Sequence, residues 1–167
     1  MNTQPITQWH PNGQRVQEAL RASGSPARVI ETIDPSPTAA RAAEQLDIDV
    51  GQVANSLLFE ADGQPLLVLA SGAHRVDTAR VATAIGARAL RRPGPEFVRQ
   101  HTGQPIGGVA PVGHPTPLRT IVDTALAQWS VVWAAGGHPK YVFATSFSEL
   151  VRITKGTPLS VGASNDV

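Results

Sequence analysis

Apolar residues recur along this chain at helical spacing in some stretches and as short runs between turn residues in others, and that alternation predicts the elements. Val16 and Leu20, with the alanines around them, predict a short amphipathic helix from Gln14 that Gly24 and Pro26 stop, followed by a strand over Ala27 to Ile33. Thr38 is placed to cap an alanine-rich helix over Ala39 to Leu46, which ends near Asp47. Val53 to Glu60 and Leu66 to Ala70 flank Ala61-Asp-Gly-Gln64, and an Asp-Gly pair between two apolar runs is a hairpin signal. Val76, Ala79, Val81, Ala82 and Ile85 form one helical stripe up to Gly86, leaving Arg80 off the stripe. A short strand over Ala87 to Arg92 is expected next, then a helix over Glu96 to His101 with Pro95 at its first position and Thr102-Gly103 ending it.

Further on, Leu118 to Val122 reads as a strand and Asp123 as the cap of a short helix over Thr124 to Gln128. Ser130 to Ala135 and Tyr141 to Ala144 flank Gly136-Gly-His-Pro-Lys140 as a second strand pair. Ser146-Phe-Ser-Glu149 has the form of a capping box opening a helix to Thr154, which Lys155-Gly156 ends. Residues 1–12 hold two prolines and no periodicity and are expected to be a loose lead-in; 157–167 are expected to be a short strand and a frayed tail. Strands outnumber helices and neighbouring strands are joined by hairpins. The expected class is α+β, a mixed, largely antiparallel sheet or partial barrel surrounded by helices.

Composition narrows the setting. A chain of 167 residues suits one domain, and 41% hydrophobic against 16% charged residues makes it too apolar for disorder. No apolar run is long enough to span a bilayer, and the opening residues lack the basic and apolar regions of a signal peptide, so a cytoplasmic protein without membrane partners is expected. With no cysteine, disulfides, thiolate zinc sites and a cysteine nucleophile are excluded. The net charge of +1 gives no general affinity for polyanions, but it is unevenly spread. Residues 1–70 carry four basic and eight acidic groups, whereas 75–99 carry six arginines against Asp77 and Glu96. That arginine segment is either a face for a polyanion or a solvated helix with its flanks.

The stretch Ile106-Gly-Gly-Val-Ala-Pro-Val-Gly-His-Pro115 combines glycines that let a ligand approach bare peptide groups with prolines that fix the backbone. It is either a connection between elements or a stiff cradle whose amides hold an ester and a developing oxyanion. His114 follows the loop and could serve as donor or base, or simply meet solvent. His74 and His138 lie at turns with no ligand-like spacing, so no metal is assigned. Asp123 reads as a cap before a catalytic carboxylate, and Ser71 has no base beside it in sequence to make it a nucleophile.

Taken in order, Ala54-Asn-Ser-Leu-Leu-Phe59, Val68-Leu-Ala-Ser-Gly72, Ile106-Gly-Gly-Val-Ala-Pro-Val-Gly113, Trp133-Ala-Ala-Gly-Gly137 and the helix with Glu149-Leu150 make the chain resemble the YbaK/ProX family. These are free-standing relatives of the editing domain inserted in bacterial prolyl-tRNA synthetases. The resemblance runs from the first helix to Gly156. It implies that fold as a single domain, hydrolysis in trans of the ester between a wrong amino acid and the terminal ribose of tRNA, no cofactor, no DNA, and as partners the aminoacyl-tRNA acceptor end and a synthetase. The family's Gly-x-x-x-Pro loop maps onto Gly107 and Pro111. Gly107, Gly108, Pro111 and His114 are thereby the candidate catalytic groups. Asn55, Ser71, Gly72, Val109, Ala110, Gly113 and Gly136 are the candidate substrate contacts, and Arg75, Arg80, Arg91 and Arg92 the candidate tRNA contacts.

One position departs from the family. Asn55 stands where many members carry a lysine in a Lys-Ser/Thr-Leu pattern; it can still donate and accept hydrogen bonds but brings no charge. Arg75 and His114 are the nearest candidates to supply it. Two readings remain open: a deacylase for small or medium acyl groups such as Ala, Ser, Cys, Thr or a Pro-like acid, and a non-catalytic module that uses the same pocket for an aminoacyl-tRNA end, an aminoacyl-adenylate or a small ligand.

Overall fold

The sheet begins earlier than the hydrophobic pattern announces. Thr3–Gln4 forms β1, paired antiparallel with β2 (Ile30–Thr32), and the N–H of Asn2 donates to the carbonyl of Gln45 at 2.7 Å. The opening residues are therefore not a loose lead-in. Nor does Pro11 delay the first helix: it occupies the first turn of α1 (Pro11–Ala22), where its missing N–H is not needed. β2 is shorter than Ala27 to Ile33, because the Gln17 side chain donates to the Ala27 carbonyl and accepts from the Val29 N–H, engaging that backbone with a helix rather than a strand. The computed structural model describes residues 1–164, so the frayed tail expected over 165–167 lies outside the described residues.

Local signals set most of the remaining elements. The Thr38 hydroxyl accepts from Arg41 N–H to cap α2 (Ala39–Leu46), and Asp47 takes the left-handed conformation (φ 54°) that ends it. After a 3₁₀ turn at Val50–Gln52 come β3 (Val53–Ala61) and β4 (Gln64–Ser71). Asp62 and Gly63 between them both have positive φ, 49° and 86°, as a two-residue type I′ hairpin requires. β5 (His74–Val76) takes Val76 away from the helical stripe, so α3 spans only Thr78–Ile85. β6 (Leu90–Arg91), α4 (Pro95–Thr102) and β7 (Arg119–Asp123) come next.

Asp123 caps a 3₁₀ turn at Thr124–Gln128 by accepting from Ala125 N–H. β8 (Val132–Ala135) and β9 (Tyr141–Thr145) form the second strand pair, and α5 (Phe147–Thr154) is capped by the Ser146 hydroxyl. The reciprocal half of that capping box is absent: the Glu149 carboxylate turns to Arg152 instead, at 2.7 Å. β10 (Thr157–Leu159) and β11 (Gly162–Ser164) close the described chain. Among the described residues, no helix is long and apolar enough to cross a membrane.

The main sheet runs β1-β2-β9-β8-β3-β4-β7-β10, with β6 on the far end of β3 and a separate β5–β11 ribbon. β3 with β8, β4 with β7, and β7 with β10 pair parallel; the other pairs are antiparallel. The class is thus α+β with a mixed, mostly antiparallel sheet that stays open instead of curling into a barrel. Its two faces bury different clusters. Leu67 and Leu69 join Val16 and Leu20 of α1, Val98 of α4 and Leu150 of α5, while Leu66, Val68 and Ala70 join Val81 and Ala82 of α3. α2 covers Val53, Trp133 and Val142 through Ala42, Ala43 and Leu46.

Candidate functional site

β3 is not paired along its whole length. On the side away from β4 it meets β8 only at Val53 and Ala54, and β6 only at Glu60 and Ala61. Continuing the β8 register would set Gly136 opposite Ser56, but the Gly136 N–H instead closes the β8–β9 turn on the Tyr141 carbonyl at 2.7 Å. Continuing the β6 register would set Pro93 opposite Leu58, and proline has no N–H to give. The sheet is therefore notched beside Asn55–Phe59.

A cleft of about 240 Å³ fills this notch, and its lining shows where it lies. All six consecutive residues from Val53 to Leu58 line it. Strand side chains alternate between faces, so a site on one face would take every second residue; six in a row mean that it runs along the strand's edge. Opposite stand Ser36, Pro37 and Thr38 of the β2–α2 connection, Ile106, Gly107 and Val109 of the glycine-proline loop, and His138 and Pro139 of the β8–β9 turn with Tyr141 at the start of β9.

Two of the three walls are fixed by buried glutamines. Gln45, 2% exposed, accepts from Asp34 N–H and donates to the Asp34 carbonyl and the Ser36 hydroxyl, which ties down the Pro37 wall. Gln104, also 2% exposed, accepts from Ala110 N–H at 2.7 Å and holds the loop from inside. The Gly108 N–H donates to the Pro105 carbonyl at 3.0 Å, a turn that places Gly107 at φ 91°. A side chain on Gly107 would meet Pro37 at 3.2 Å, and one on Gly108 would meet the His138 carbonyl carbon at 2.8 Å. These two glycines let three segments close together.

The loop thus differs from a row of free amides. Those of Gly108 and Ala110 are used internally, which leaves Gly107 and Val109, both cleft-lining, with N–H groups unbonded among the described residues. Ala110, Pro111 and Gly113 do not line the cleft; Ala110 and Pro111 are buried and Gly113 lies on the backbone of Val16.

His114 does not face the cleft either. Its Nε2 lies 2.7 Å from the Ala110 carbonyl, an acceptor only, so Nε2 carries the proton and donates. Burial pushes its pKa down, against the raising effect of that bond. Its place is inside the loop.

Ser71 is likewise internal: its hydroxyl donates to the Gly51 carbonyl, and its N–H donates to Asp123, which also meets His74 Nδ1 at 2.9 Å. Gly72 passes so close to the Val50 carbonyl that a Cβ would stand 2.5 Å from it, and Gly136 packs on Val29 and Tyr141; neither lines the cleft.

Asn55 sits at a junction. It lines the cleft and also a shallower groove on the neighbouring surface with Phe59, His74, Arg75, Thr78 and Arg92. Arg92 borders both and lies over the Phe59 ring at 5.4 Å. Arg75 and Arg92 are thereby brought together beside Asn55. Arg80 instead donates to the Ser160 hydroxyl, and Arg91, on β6, lines neither recess.

His138, which the sequence offers only as a turn histidine after Gly136-Gly137, also lines the cleft. Its Nδ1 accepts the Lys140 N–H, so Nε2 carries the proton of the neutral ring. Burial first, then His10, lowers its pKa, with Glu31 opposing. Among the described residues no three His, Asp or Glu side chains gather as a metal site.

A family model described as the aminoacyl-tRNA editing domain matches residues 34–153. Protein YwhH of Bacillus subtilis (strain 168) is 30% identical over 131 residues, 73% of this chain and 83% of that protein. Proline–tRNA ligase of Nitratidesulfovibrio vulgaris (strain DP4) is 31% identical over 93 residues, 56% of this chain but only 16% of the ligase. Among solved structures, that of "a putative trans-editing enzyme for prolyl tRNA synthetase" is similar at 37% identity and a TM-score of 0.88, covering 94% of this chain and all of that one. The structure of hypothetical protein APE2540 is similar at 27% identity and a TM-score of 0.83, over 89% of this chain and 99% of that one.

Proposed function

The chain belongs to the aminoacyl-tRNA editing domain family, and we propose that it is a trans-acting deacylase whose ester site is the cleft beside β3. The observation that carries this site is that the cleft and the arginine-bearing groove adjoin, sharing Asn55, Leu57 and Arg92 as walls. A charged tRNA end has the same two parts, a compact acyl ester and a phosphate chain leading away from it. Arg75 and Arg92 would meet the phosphates of the acceptor end, an interaction that is electrostatic and indifferent to base identity. The cleft, at about 240 Å³, is smaller than the roughly 300–1,000 Å³ of ordinary small-molecule sites and suits a small acyl group with its ribose.

No protein nucleophile is needed. The Ser71 hydroxyl is committed to Gly51, so the attacking group is a bound water held in line by the cleft; its oxygen goes to the acyl carbon and its proton to the departing ribose oxygen, with the neighbouring ribose hydroxyl placed to relay that proton. The ester carbonyl, as it becomes an oxyanion, meets donors fixed in advance: the amides of Gly107 and Val109, the Asn55 carboxamide and Nε2–H of His138. Asn55 supplies a neutral donor where the family resemblance implies a lysine, and Arg92 beside it supplies the charge. The likeness to the protein described as "a putative trans-editing enzyme for prolyl tRNA synthetase" supports tRNA for proline as the carrier and that synthetase as the source of the error and the working partner.

The test is direct. tRNA for proline charged with Ala, Ser, Cys, Thr or Pro is incubated with the protein and loss of the acyl group is followed; accelerated loss of at least one wrong acyl group is expected. No acceleration on any of them overturns the assignment.

A further inference from the structure

The notch beside β3 leaves main-chain groups without partners. The Gly72 N–H donates to the Val53 carbonyl at 2.8 Å, and the hairpin register continues from there, so the odd-numbered residues of β3 exchange hydrogen bonds with β4. The even-numbered ones point the other way: Ala54 toward β8 and Glu60 toward β6. Between them, the N–H and C=O groups of Ser56 and Leu58 point into the notch, and no described residue bonds to them. The Ser56 hydroxyl, buried beside them, is also without a partner. Unpaired strand edges are templates for added strand.

Resting on the deacylase reading, we infer that this edge receives the aminoacyl group as one residue of added strand. The α-ammonium donates to a carbonyl of Ser56 or Leu58, and the ester carbonyl accepts an N–H from the same edge on one lone pair while its other faces the donors across the cleft. The fit is one of length. Ser56 and Leu58 are one strand repeat apart, about 6.7 Å, and pairing is blocked beyond them by the turn at Gly136 and by Pro93. That space holds a single residue's amine and carbonyl, and no more chain. A substrate with a free α-amino group is accepted, whereas an N-acylated one, such as peptidyl-tRNA or formylated aminoacyl-tRNA, loses the charged donor and carries its extra group toward the blocked ends. The edge thus confines hydrolysis to unblocked aminoacyl-tRNA.

The test uses the full chain and two measurements. Deacylation of alanyl-tRNA and N-acetylalanyl-tRNA is compared, and binding of 3′-alanylamino-3′-deoxyadenosine and its N-acetyl derivative, whose amide replaces the ester, is followed by amide NMR. N-acetylation is expected to lower kcat/KM at least about tenfold, in line with losing a charged hydrogen bond. The free-amine analogue should shift the Ser56 and Leu58 amide resonances, and the N-acetyl analogue should leave them in place. Rates within about threefold of each other, or shifts from the free-amine analogue that spare Ser56 and Leu58, or no binding of that analogue, overturn the inference. Discriminating binding without hydrolysis of any mischarged tRNA overturns the deacylase reading and keeps the edge.

Discussion

Gly108 lies against the main chain of His138 so closely that a methyl group there would stand 2.8 Å from its carbonyl carbon. The neighbour is backbone, which cannot swing away as a side chain would. Gly108→Ala is therefore expected to part the loop from the β8–β9 turn and widen the cleft. Overpacking of this kind costs about 1–3 kcal/mol. Urea unfolding should show that loss, and deacylation should fall by about tenfold or more because the Gly107 and Val109 amides no longer hold their places.

Asn55→Ala removes the carboxamide at the junction of cleft and groove without disturbing the β3–β4 ladder, which is made by main chain. A fall in kcat/KM of about ten- to a hundredfold is expected, the loss of one hydrogen bond to a charged or charge-developing group. Stability should stay within about 0.5 kcal/mol, as for substitutions away from packed features.

The two loop histidines are expected to separate. His114→Ala leaves the buried Ala110 carbonyl unpaired and should cost about 1–3 kcal/mol of stability, with kcat/KM nearly unchanged. His138→Ala should do the reverse, lowering kcat/KM by about tenfold or more with little change in the unfolding midpoint.

His114 also sets a pH dependence. Its folded pKa lies below the ordinary 6.5, so as pH falls past 6.5 the unfolded chain binds a proton that the folded chain refuses. Its contribution is therefore present above pH 6.5 and lost as pH falls through the folded pKa. Unfolding midpoints measured from pH 7.5 down to 5 should decline, and His114→Gln should decline less over the same range.

Arg75→Ala and Arg92→Ala are each expected to weaken tRNA binding and to make its salt dependence shallower by about 0.7 for each phosphate no longer neutralised, the value for a single strand. Arg80→Ala, whose side chain is turned to Ser160, should leave both unchanged. A filter-binding salt titration separates the three.

Much of the fold was legible because its signals are local. Asp62-Gly63, Thr38 and the Pro95-to-Gly103 span each specify a turn or cap through a few adjacent residues, and each stands where its chemistry put it. β1 escaped because a two-residue strand has no period to read. The cleft was only partly legible. Asn55, Gly107 and Val109 line it, yet Pro37 and His138 reach it through the pairing of Val53 with Trp133, which no short stretch of sequence encodes. For His114 the sequence leaves open a role at the loop or contact with solvent, and neither describes its ring, which turns inward to the Ala110 carbonyl.

The parallel pairing of β3 with β8 also dates the cleft in the life of the chain. The β3–β4 hairpin closes across two residues, whereas Val53 must find Trp133 across a long loop, and such closures are slow. During synthesis the hairpin is complete long before Tyr141 and Val142 exist. Its outer edge is meanwhile a bare template for pairing with any other strand. The cleft cannot assemble until β8 and β9 have been made, and through that interval the outer edge of β3 stays open to mispairing.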